Sequence, residues 1–137
     1  LLRGLKRLRQ TPLETFCTVI EGVSHWFLVI CRAADGRPVS QLELELQAEV
    51  DKFLFCLFYF GNRISAAKIR SLLFDSYHLL PHLSDEQKER YELANRLAFR
   101  YCETLDRWSH PSHKQRLIQE ARRFRRLALE EKIRQAA

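Results

Sequence analysis

The side chains able to do chemistry are few and loosely placed. Among the five histidines, His78 and His82 are spaced i,i+4, and His110 and His113 i,i+3. Zinc sites use such spacings because they put two imidazoles on one helix face. Pro81 interrupts the first pair and Pro111 the second, so both pairs fall at helix ends. No HExxH pattern supplies a general base. These histidines read as groups that meet solvent or cap carbonyls, and neither a metal nor a cofactor is expected.

His25 lies within an apolar segment, one helical turn after Glu21. With Cys56 the pair suggests an acid–base or small-ligand pocket. The same pattern suits a core histidine satisfied by a carboxylate. Cys56 sits among phenylalanines, whereas a reactive thiol needs an electropositive, partly exposed setting. GxxxxGK[ST], GxGxxG and GxSxG are absent. The chain is expected to be no enzyme.

Arginines give the stronger lead. In "KQRLIQEARRFRRLALEEKIRQ", Leu117, Ala121, Phe124 and Ala128 share one stripe. Arg122, Arg125 and Arg126 gather opposite, flanked by Arg116 and Arg123. Residues 1–10 repeat the theme, with Leu1, Leu5 and Leu8 against Arg3, Lys6, Arg7 and Arg9. Such faces suit an acidic protein surface, nucleic-acid phosphates or anionic lipid. Interleaved acids and the lack of a stacking platform argue against nucleic acid. The two-turn length of the N-terminal piece argues against a lipid surface.

Charge is uneven along the 137 residues: +4 over 1–10, −4 over 11–60 and +6 over 61–137. An acidic middle between basic ends implies polarised surfaces. The four cysteines form no CxxC pair and lie in apolar patterns, which suits buried free thiols in a reducing, intracellular and most simply cytoplasmic setting. The sequence has no methionine, even at position 1, so it reads as part of a longer chain. No secretory signal is visible at its start. The apolar runs "FLFCLFYF" and "WFLVIC" are bracketed by charge and too short for the roughly 20 residues of a spanning helix, so no transmembrane span is expected.

These residues must be held by helices, and the sequence marks where the helices start. A Ser or Thr followed three residues later by Glu or Gln satisfies two orphan backbone donors at once. That pattern occurs at Thr11/Glu14, Ser40/Glu43, Ser84/Gln87 and Ser112/Gln115, with Ser65 a further N-cap. Stops follow at "DGRP", "GNR", "LPHLS" and "SHPS". Together they predict helices at 12–33, 41–60, 66–79, 85–108 and 113–135, with a short basic one at 2–9. The expected fold is an all-α antiparallel bundle of five main helices, residues 11–137 forming one domain behind the basic segment 1–10.

Leu42, Leu46, Val50, Phe53, Leu57 and Phe60 form a stripe on the second helix. Phe55, Cys56 and Phe58 make its end apolar all round, so it is expected at the hub of the bundle. "WFLVIC" and "QLELELQ" are also strand-like, and "ADGR" between them would turn a hairpin over 26–46. Gly22 then marks a close helix crossing or the end of a shorter first helix. The stretch "AADGRPVSQLELE" resembles the "ADG…E" helix-loop-helix segment of tellurite-resistance TerB-like helical domains. The resemblance covers about a dozen residues, and no function or site residue is carried from it.

The functional expectation is an intracellular helical interaction module or assembly subunit. It would dock a protein partner or a second copy through Trp26, Phe55, Phe58 and Tyr59, with Arg116, Arg122, Arg123, Arg125 and Arg126 as a basic surface. A nucleic-acid-binding domain using those arginines is the alternative, and a pocket around His25 a third reading.

Overall fold

A computed structural model describes residues 11–75 and 81–137. The expected helix at 2–9, residues 76–80 and His78 lie outside them. Among the described residues the fold is an all-α bundle without strands. Helix α1 spans Pro12–Ala34, α2 Gln41–Phe60 and α3 Ala66–Arg70, which continues as a π-turn over Ser71–Asp75. Helix α4 spans Asp85–Thr104, followed by 3₁₀ turns at Leu105–Trp108 and Pro111–His113. Helix α5 spans Lys114–Arg126 and α6 Leu129–Ala136.

The caps set most of these boundaries. Thr11 and Ser84 form full reciprocal boxes with Glu14 and Gln87, and Ser65 accepts from the Lys68 N–H at 3.2 Å. Ser40 accepts from the Glu43 N–H at 3.1 Å, but Glu43 does not reciprocate; its carboxylate turns into the bundle. Ser112 lies inside a 3₁₀ turn, where the His110 ring accepts its N–H at 3.2 Å. Helix α1 ends in a Schellman motif. Gly36 has φ +63°, and the N–H groups of Gly36 and Arg37 return to the carbonyls of Ala33 and Arg32.

The hairpin over 26–46 does not form: "WFLVIC" continues α1 and "QLELELQ" opens α2. Capping at Ser40 and the unbroken stripe beyond it outweigh local strand propensity. Gly22 is neither a crossing nor an end. It lies mid-helix, with nothing within 4 Å of the position a Cβ would take. The helix expected at 113–135 breaks at Leu127, whose ψ of 147° is extended.

Helix α2 is the hub, packed against α1, α3, α4 and α5. Its stripe Leu46, Val50, Phe53 and Leu57 shares one core with Ala94, Ala98 and Tyr101 of α4 and Leu105 of the 3₁₀ turn after it, while Leu117 and Phe124 close the core from α5. Tyr101 and Phe124 stack with centroids 4.0 Å apart. The "FLFCLFYF" run is only partly interior. Phe53, Leu54, Cys56 and Leu57 are buried, but Phe55 and Tyr59 face out.

Candidate functional site

From Val19 onward, helix α1 is turned opposite to an ordinary amphipathic helix, whereas in its first turns Leu13, Phe16 and Cys17 pack against the core. Its buried residues are Ser24, Leu28 and Arg32. Val19, Val23, Trp26, Phe27, Val29 and Ile30 are all exposed, Trp26 by 66%. The polar side chains point inward because α2 offers them charged partners.

The α1–α2 seam follows antiparallel register. At one end the Arg32 guanidinium donates to Glu43. Ser24 Oγ donates to Asp51 Oδ2 at 2.6 Å. Lys52 Nζ lies 2.6 Å from Glu49 and 3.5 Å from Glu21. Helices α5 and α6 complete the network. Arg125 donates to Asp51 at 2.6 Å, Gln47 Nε2 donates to the other Asp51 oxygen at 3.0 Å, and the fully buried Lys132 ammonium donates to Glu43 at 2.9 Å.

The network also explains the break between α5 and α6. Arg32 donates to the Leu127 carbonyl at 2.6 Å and the Arg125 carbonyl at 3.3 Å, satisfying acceptors that a helix end leaves open. The Glu131 carboxylate accepts the Ala128 N–H at 3.3 Å and starts α6.

Electrostatics follow from this geometry. Burial pushes the Glu43 carboxyl up, but hydrogen bonds from Arg32 and Lys132 outweigh it and hold the group below 4.5. Burial pulls Lys132 down to about 8, against the pull of Glu43. Glu45 and Glu49 are pushed up by burial, only partly offset by His25 and Lys52 respectively.

The expected site residues separate. Trp26 lies on the outward face of α1, while Tyr59 and Phe55 are exposed near the end of α2. Tyr59 meets Phe16 of α1 at a centroid distance of 5.9 Å. Phe58 is half-buried in a cleft with Leu57, Trp108 and Lys114. An apolar groove of about 430 Å³ lies between Leu13, Phe16, Phe60, Ile64 and Leu72.

Of the arginines, Arg122 and Arg126 are exposed, and Arg116 lies 5.3 Å from the Trp108 ring. Arg123 pairs with Glu120 at 2.8 Å and Gln135 at 3.0 Å. Arg125 turns inward to Asp51 and covers the Phe27 ring at 4.8 Å. The arginine-rich end of α5 therefore borders the apolar face of α1.

Cys56 is buried, and its thiol is pushed up first by its hydrogen bond with Cys17 and then by burial. His25 instead faces Glu45, with Nε2 3.8 Å from its carboxylate. His82, His110 and His113 are exposed. Sequence reasoning missed Arg32, Glu43, Asp51 and Lys132 as a unit. The one signal for them was the acidic charge of residues 11–60 between two basic stretches.

By length and composition α1 could cross a membrane. Comparison with protein-family models, curated proteins and solved structures found no match.

Proposed function

We propose that this chain is a non-catalytic helical interaction module whose docking surface is the outward face of α1. The observation that carries the reading is the inversion of that helix: Ser24 and Arg32 are buried while Val23, Trp26 and Ile30 are exposed. A contiguous apolar helix face rimmed by cations is the signature of a buried contact. Arg125 already flanks Phe27, and Arg122 and Arg126 stand exposed on the same helix. The fitting partner is a protein helix with an apolar ridge and acidic flanks. Apolar area supplies the contact, and the arginines supply orientation and encounter rate.

Lipid would also cover such a face, and α1 has the length to span. Spanning would strip Arg32 from Glu43 and Ser24 from Asp51. It would carry Glu21, His25 and Arg32 toward hydrocarbon, at about 2.5–3.5 kcal/mol for a charged residue at mid-membrane. The fold favours a protein.

A photo-crosslinking amino acid at position 23, in cells, tests the reading. A discrete protein adduct is expected, lost with Ile30→Lys and absent when the crosslinker replaces the exposed Glu89 on α4. Adducts to lipid alone, with flotation of the purified chain on anionic vesicles, would replace a protein partner by a membrane. No adduct of either kind would remove the docking role.

A further inference from the structure

The seam holds a second cluster that the docking reading does not use. Glu21 and His25 project one turn apart from α1, and Glu45 faces them from α2. One donor atom from each lies within 4.8 Å of the other two. His25 Nε2 is buried and has no hydrogen-bond partner among the described residues. Glu45 exposes only 5% of its side chain. The 3.8 Å gap between its carboxylate and His25 Nε2 is too long for a hydrogen bond. A buried imidazole nitrogen and a buried carboxylate thus face each other without joining.

The surrounding charge favours a cation. Glu21, Glu45 and Glu49 converge here, answered by Lys52, which is held by Glu49 at 2.6 Å and only loosely by Glu21. Arg90 and Tyr91 approach Glu45 from α4. We propose that Glu21, His25 and Glu45 bind one divalent first-row transition-metal ion, clamping α1 to α2.

Bonds of about 2.0–2.2 Å would bring neighbouring donors to roughly 3–3.5 Å of one another. From the present separations of up to 4.8 Å, the cluster needs a contraction of about 1–2 Å, within reach of side-chain rotation. One imidazole with two carboxylates suits zinc, cobalt, manganese or iron better than magnesium or calcium, which prefer all-oxygen sets. Three protein ligands leave room for water.

Cobalt(II) is the probe, because its absorption reports its ligands. The purified chain, with its cysteines reduced, is titrated with cobalt and followed by absorption and thermal unfolding. One ion per chain is expected, with a visible d–d band and a higher melting temperature. His25→Gln and Glu21→Gln, both at partly exposed positions, should each weaken binding by about tenfold or more. Glu45→Gln should do the same if it folds, as judged by circular dichroism. Cys17→Ser should change nothing. Failure of the wild-type chain to bind at millimolar cobalt would overturn the assignment. So would binding that survives His25→Gln, or a sulfur-to-cobalt charge-transfer band lost with Cys17→Ser. None of these outcomes depends on whether the outer face of α1 docks a protein.

Discussion

The guanidinium of Arg32, on the first helix, donates to the carbonyl oxygen of Leu127, where the C-terminal helix breaks, at 2.6 Å. The same guanidinium holds Glu43, and Glu43 holds Lys132. One arginine therefore joins both ends of the domain to its central helix, and through it α1 is fixed with its polar side inward.

Removing Glu43 and removing Lys132 should have unequal effects. Glu43→Gln leaves Arg32 and Lys132 buried without their carboxylate and is expected to cost about 3–5 kcal/mol. Lys132→Met removes a buried charge that burial already disfavours and leaves Glu43 paired with Arg32. Its cost should be within about 1 kcal/mol of zero, of either sign. Urea denaturation of both variants at neutral pH provides the comparison.

Two acids on α2 should give opposite pH signatures. Glu43 has a folded pKa below 4.5, so its stabilisation is present above 4.5 and is lost as pH falls through the folded value. Glu45 has a folded pKa above 4.5. The folded chain then holds more protons than the unfolded one, and stability falls as pH rises from 4.5 through the folded value. The deficit of Glu43→Gln relative to wild type should shrink on acidification below 4.5. Glu45→Gln in metal-free buffer should be more stable than wild type at neutral pH, with the gap closing toward 4.5. Melting temperatures taken every half unit from pH 3 to 7 would check both signs.

Much of this was readable in the sequence, and the limits are instructive. Thr11, Ser40, Ser65 and Ser84 placed four helix starts because capping is local chemistry. The stripe from Leu42 to Phe60 placed α2 at the hub because period-3.6 patterning reports burial directly. The orientation of α1 could not be read that way. Its apolar residues outnumber its polar ones, so patterning alone does not choose a buried face, and of its outward residues only Trp26 was expected there. What turned it was the row Glu43, Glu45 and Asp51 on a different helix, a long-range match between charges far apart in the chain. The acidic middle suggested polarised surfaces, but two of its acids, Glu43 and Asp51, turn inward and are answered by Arg32, Arg125 and Lys132 of the same chain. The break at Leu127 was hidden for the same reason, since its capping group comes from residue 32.

Gly22 offers a test of what the α1 face meets. It lies mid-helix with open space around it, so Gly22→Ala should stabilise the isolated chain by up to about 1 kcal/mol through helix propensity. A partner helix seated closely over this position would be displaced by the added methyl. The crosslink from position 23 should then weaken while the melting temperature rises.

The exposed arginines should affect association and leave the fold intact. Arg122→Gln with Arg126→Gln is expected to change stability by no more than about 0.5 kcal/mol, while slowing partner association and flattening its salt dependence. Arg125→Gln should destabilise the chain, because Asp51 loses a charged donor at 2.6 Å. Stopped-flow association at two salt concentrations, beside urea melts, separates the two classes of arginine.

The orientation of α1 itself is tested most directly by urea denaturation of Val23→Lys beside Leu28→Ala. With Val23 outward and Leu28 fully buried, the lysine should be tolerated within about 0.5 kcal/mol, and the alanine should cost about 2–5 kcal/mol. Loss of several kcal/mol with the lysine, or indifference to the alanine, would contradict an inverted first helix and the docking face drawn from it.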